Sequence, residues 1–193
     1  MSEVRPRKRA AQERSRATVA AILEATARIL ADDGLDAVTT NAVAGRAGVS
    51  VGSLYQYYPN REAILADLLR GKLAALAVAV GDATDEPTFD SALRAMLRAL
   101  ARSYIQRPAL AAALLYVETL VGADEDIAAL RAKLGRETVA FLKAHGASDP
   151  ELAARDITAL VRGMALAAGL NGERDVEALV ARMERAVRGY LDD

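Results

Sequence analysis

The chain of 193 residues contains no cysteine and no tryptophan. Without thiols there is no disulfide framework, no thiolate metal site and no cysteine nucleophile. The single histidine, His145, rules out a multi-histidine metal cage and any mechanism that needs two imidazoles. No G-x-S-x-G elbow, Walker loop, dinucleotide fingerprint or H-E-x-x-H is present, so no catalytic residue, metal or cofactor is expected. No apolar run approaches the ~18 residues that cross a bilayer. The first residues are basic, with no apolar segment directly behind them, and so do not read as a secretory signal. These absences leave a soluble cytoplasmic protein as the expectation.

Alanine is abundant, at 43 residues, while aromatic residues make up only 4%. Because alanine is the strongest helix former, an all-α fold follows. The net charge of −1 conceals an uneven distribution. Residues 1–61 carry 9 basic and 6 acidic side chains, and residues 62–193 carry 16 and 20. That division suits a small module that approaches a polyanion and a larger body that does not.

Residues 1–12 show no apolar period and hold Arg5, Arg7, Lys8 and Arg9, which reads as a flexible basic arm. Val19, Ile22, Leu23, Thr26, Ile29 and Leu30 then recur at steps of three and four, predicting a first helix over about 14–33 that stops at Gly34. Thr39 is suited to cap a short helix ending at Ala47 and Gly48, and Ser50 to cap another over about 51–57. Pro59 and Asn60 precede a long helix from Arg61 to about 80. Further breaks predict helices at 89–105, 108–121, 124–145, from a Ser148–Glu151 capping box to about 168, and 175–191, with Gly169–Gly172 as a turn. The total is nine helices.

Two short helices separated by a glycine turn make a helix-turn-helix. Val43, Ala44, Ala47, Val49, Leu54 and Tyr58 can face inward, against the Ile22 and Ile29 side of the first helix. At 100° per residue, Gly52 and Gln56 then point outward, flanked by Tyr55, Ser53 and Tyr57. A helix of this size fits the major groove of B-DNA, where Val51, Gly52 and Ser53 would meet base edges first. Ser50, Ser53, Tyr57 and Arg61 would bind phosphate oxygens, and Thr39, Thr40 and Asn41 at the start of the first short helix complete the docking surface.

The run Thr39, Val43-Ala44, Ala47-Gly48-Val49-Ser50, Gly52, Leu54-Tyr55, Tyr57-Tyr58, Asn60, Arg61-Glu62 and Ile64 resembles the signature of the TetR family of transcriptional repressors, in order and without gaps. Val43 replaces the usual Ile, Tyr58 the usual Phe and Arg61 the usual Lys. Val51, often a polar position, suggests an apolar contact such as a thymine methyl. The resemblance covers about residues 14–66. It implies a DNA-binding domain at 13–66 and a helical ligand-binding and dimerisation domain at 67–193. It also implies a homodimer on a palindromic operator, released by a small-molecule effector. An activator on the same fold and a helical ligand carrier that does not bind DNA are the alternatives.

In the second domain, alanine-rich segments at 74–79 and 109–115 fill space poorly and leave room for a cavity. Met96, Tyr104, Tyr116, Phe141 and Met164 are the larger candidates to line it, and the scarcity of charge near them predicts an apolar or weakly polar effector. His145, before Gly146, suits a cap on the last carbonyls of its helix. The resemblance implies pairing through the last two long helices. There Ile157, Leu160, Val161 and Met164 form one stripe, and Val176, Leu179, Val180, Met183 and Val187 form another.

Overall fold

A computed structural model describes residues 7–121 and 124–192, with side chains from Gln12 onward. Among these residues there are nine α-helices and no strand. They are α1 (Arg7–Asp32), α2 (Thr40–Ala47), α3 (Val51–Tyr55), α4 (Arg61–Thr84), α5 (Phe89–Ile105), α6 (Pro108–Leu120), α7 (Glu125–Ala144), α8 (Pro150–Leu170) and α9 (Val176–Leu191). A 3₁₀ turn at Leu35–Ala37 follows α1. The chain divides into two compact units, Met1–Leu68 and Leu69–Asp193.

The start of α1 at Arg7 is earlier than the apolar period predicts. A helix backbone needs helix formers rather than an apolar stripe, and Ala10, Ala11, Gln12 and Glu13 supply them. Arg7, Lys8 and Arg9 therefore belong to the helix backbone, and Arg5 lies outside the described residues. In the first unit Ile22, Val38, Val43, Leu54, Ile64 and Leu65 are fully buried. Each such side chain contributes roughly 1.5–3 kcal/mol. Thr26 is buried among them because its hydroxyl donates to the Ile22 carbonyl at 2.8 Å, which leaves no polar group unsatisfied there.

In the second unit α5 packs on both α8 and α9, around Leu97, Ala101, Ile157, Ala165, Leu179 and Met183. Three ion pairs set the register of α5 against α9. Arg188 donates to Asp90 at 2.7 Å, Arg94 grips both oxygens of Glu184 at 3.1–3.2 Å, and Arg98 binds Glu177 at 2.6 and 2.7 Å. Asp90, Arg94 and Arg98 are spaced one turn apart on α5, so the same face recurs along the contact. Asp149, rather than Ser148, caps α8, accepting from the Leu152 N–H at 3.0 Å. Gly169 continues that helix instead of opening a turn.

Candidate nucleic-acid interface and the helical body

Each short helix of the first unit begins on a hydroxyl. The Thr39 side chain accepts from the Ala42 N–H at 3.1 Å, and the Ser50 side chain from the Ser53 N–H at 3.0 Å. Between them Gly48 closes α2 with φ of 70°, a left-handed conformation that glycine adopts without strain. Leu54 is 0% exposed and Tyr58 7%, and the Tyr58 hydroxyl donates to Asp67 at 2.5 Å. One side of α3 is thereby committed to the interior.

The opposite side is open. Val51, Gly52, Tyr55 and Gln56 are exposed, and Ser53 and Tyr57 are half-buried at the edges. Although α3 ends at Tyr55, shorter than predicted, Gln56 and Tyr57 continue it as a hydrogen-bonded turn. The Tyr55 hydroxyl lies 3.3 Å from the Thr40 hydroxyl, linking the open face of α3 to the start of α2. Ser50 and Ser53 hydroxyls meet at 2.8 Å. Thr39 and Asn41 are exposed beside them. The structure therefore brings all the predicted docking residues from 39 to 57 to the two short helices and their caps, with an uncharged face on α3. Arg46, the cation of α2, is directed at Asp32 and Asp33, 3.6 and 3.5 Å away. Arg61 donates to Glu62 at 2.8 Å, which holds the Glu62 carboxyl below its usual range. Asn60, accepting from the Ala63 N–H at 2.8 Å, caps α4 next to it.

Of the predicted cavity residues, Tyr104, Phe141, Met96 and Met164 belong to one core cluster, and Tyr116 does not. Tyr116 is 72% exposed. Phe141 is buried in a stack with Phe89, ring centroids 5.1 Å apart, and with the His145 ring at 4.7 Å. Met96 and Met164 are half-buried against the core. His145 bonds the Phe141 carbonyl through Nδ1 at 2.7 Å, the predicted cap. A cleft beside it, lined by Phe89, Leu142, His145, Gly146, Ala147 and Leu191, has about 60 Å³, small against the ~300–1,000 Å³ of drug-sized sites.

Tyr104 is buried as expected, but its surroundings are charged, contrary to the expectation of little charge nearby. Arg162 donates to its hydroxyl at 3.4 Å and to both oxygens of Glu118 at 3.2 Å. Arg131 lies 3.3 Å from Glu118, and the Lys72 ammonium sits 4.5 Å over the Tyr104 ring. Desolvation pushes the Lys72 ammonium down to about 8, with Arg162 adding to the shift and Glu118 opposing it. No local pattern announces these residues, since each stands on a different helix.

The predicted pairing stripes are also corrected. Ile157, Val161, Leu179, Val180, Met183 and Val187 are buried within this chain, where they pack α8 and α9 against α5. A side chain already enclosed by its own chain has no surface to offer a partner. Val176 and Met164 are half-buried, and Leu160 is exposed.

A helix-turn-helix with one face buried and the other open, in a chain whose remainder is a helical body, defines a helix-turn-helix transcriptional regulator. The chain belongs to the tetR family of bacterial regulatory proteins: the family model matches residues 22–68, and the tetracyclin repressor-like C-terminal domain matches residues 88–191. It is 29% identical over 110 residues to the HTH-type transcriptional repressor KstR of Mycobacterium tuberculosis, covering 54% of this chain and 50% of the relative. The chain thus spans about half the length of that curated relative. Its fold is similar to that of the TetR family regulator PfmR from Thermus thermophilus, with a TM-score of 0.75 at 22% identity over 86% of this chain and 97% of the other. It is also similar to the fatty acid degradation regulator FadR from Bacillus halodurans, with a TM-score of 0.76 at 16% identity over 96% of each chain. No helix is long and apolar enough to cross a membrane among the described residues.

Proposed function

We propose that the chain is a homodimeric repressor that binds a palindromic DNA operator and leaves it when a small-molecule effector enters the helical body. The observation that carries this reading is the two-sidedness of α3: Leu54 and Tyr58 anchor it, while Val51, Gly52, Tyr55 and Gln56 are left open. Gly52 lets the backbone approach base edges, and Ser50, Ser53 and Arg61 supply phosphate contacts. The likeness to KstR, named a repressor, supports repression. The protein works in the cytoplasm, where its DNA lies, and no catalytic role is assigned to it.

For the dimer, the exposed residues of α8 include the apolar Leu152, Leu160, Ala167 and Leu170, with Gly163 among them allowing close approach. Two copies of this face about a two-fold axis match the symmetry of a palindrome. α4 runs unbroken from Arg61 to Thr84, so displacement of its later turns by a ligand is carried to its first.

Selection of binding sites from random duplexes tests the reading. A palindromic consensus overlapping a promoter is expected, and binding without sequence preference would overturn it. Leu160→Arg is expected to give a monomer in sedimentation. Saturating operator should weaken effector binding by the same factor as the effector weakens operator binding, typically about 5–150-fold.

A further inference from the structure

Lys72 of α4 and Arg162 of α8 contact Tyr104 of α5, and Arg162 shares Glu118 of α6 with Arg131 of α7, so five helices each give one residue to the group. Three cations face one anion, so the group holds a surplus of positive charge in a place partly closed to water, where an unpaired charge is costly. The surplus is unevenly distributed. Arg162 is satisfied, since it donates to Glu118 and to the Tyr104 hydroxyl. Arg131 is paired with the same carboxylate, its Nη2 3.3 Å from Glu118. Lys72 is in no hydrogen bond or ion pair among the described residues. The face of the Tyr104 ring attracts its charge, but a ring offers no lone pair to its three N–H donors. A methionine at position 72 would fill the same space without the desolvation cost, so the packing does not explain an ammonium there.

The geometry points to a carboxylate-binding subsite at Lys72, beside the arginines that share Glu118, which makes the effector an amphipathic molecule with one carboxylate. This rests on the effector reading above and names the chemistry of that effector. The Lys72 ammonium has no anion of its own and is a donor, so its partner is an acceptor. Glu118 already occupies the two arginines, and its charge would oppose a phosphate dianion more strongly than a monoanion. Lys72 is half-exposed, so a group from solution can reach it. The rest of the ligand would lie on apolar side chains of the core that holds Tyr104, with Met96, Met164 and Leu166 half-buried at its edge.

Calorimetric titration of the full-length protein, without DNA, with octanoate against octanamide and 3-phenylpropanoate against 3-phenylpropanamide tests the subsite. At pH 7 at least one acid is expected to bind tenfold or more tightly than its amide. The groups facing Lys72 are Tyr104, Glu118 and Arg162, so the lysine is isolated by substitution. As pH rises from 7 to 9.5 the acid's advantage should shrink in the wild type, persist in Lys72→Arg and be absent in Lys72→Met. Thermal melting and amide binding show that the variants are folded, and Lys72→Gln replaces Lys72→Met if it is not. Equal binding of acid and amide, no binding of either, or a preference that survives Lys72→Met would overturn the subsite. Tight carboxylate binding that leaves the operator complex intact would count against effector release and leave the subsite standing.

Discussion

Gly169 of α8 lies directly on the backbone of Tyr104 in α5. A Cβ at position 169 would sit 3.0 Å from the Tyr104 carbonyl oxygen and 3.2 Å from the Pro108 Cβ. Neither neighbour is the free end of a flexible side chain, so α8 would have to move away. Gly169→Ala gains helix propensity but overpacks the contact, and a net loss of about 1–3 kcal/mol is expected in urea unfolding. An unchanged midpoint would mean the helices separate without strain.

The caps of the helix-turn-helix make a second prediction. Thr39 satisfies the Ala42 N–H through its hydroxyl, so Thr39→Ala should cost about 1 kcal/mol, while Thr39→Ser keeps the acceptor and most of the stability. Equal losses for both variants would show that the methyl group, not the hydroxyl, matters.

Arg61 stands at the first turn of α4 with its guanidinium on Glu62. If it also contacts a phosphate, Arg61→Ala should weaken binding to every sequence alike and flatten the salt dependence by about one unit. A slope identical to that of the unaltered protein would remove Arg61 from the interface.

Two opposite pH dependences are expected of stability. Glu177 is held low by hydrogen bonds from Arg98, Asp156 by Arg155 and Tyr190, and Asp124 by the Ile127 N–H. Their contributions are present above the unfolded values near 4 and are lost as pH falls through the lower folded ones, so urea midpoints should drop below about pH 4.5. Lys72 acts in the other direction. Its folded value of about 8 lies under the ordinary 10.5, so between those values the unfolded chain binds more protons and stability rises with pH. Lys72→Met should therefore be more stable than wild type by about 1–2 kcal/mol at pH 7, with the gap closing by pH 10. A gap independent of pH would place its cause outside the ammonium.

Most of the local architecture was readable from the residues alone. Thr39, Gly48, Ser50 and His145 act on backbone groups within a few positions of themselves, so type and spacing suffice to assign them. The buried and open sides of α3 follow equally from helical spacing, since Leu54 and Tyr58 share one face. The stripes of α8 and α9 show where that reasoning stops. An apolar stripe demands burial but does not name its partner, and here Ile157, Val161, Leu179 and Met183 found it within their own chain. That left Leu152, Leu160 and Leu170 as the open side of α8. Likewise Lys72, Glu118, Arg131 and Arg162 carry no mutual signal along the chain: Glu118 and Arg162 are 44 positions apart, and only the packing of their helices brings them together. Residue order was enough for the helices, their caps and the two-sided α3, because hydrogen bonds and periodicity act over one or two turns. Only the packed chain settled which apolar faces were used up internally and which charges met around Tyr104, because burial and electrostatic pairing depend on distance in space rather than along the backbone.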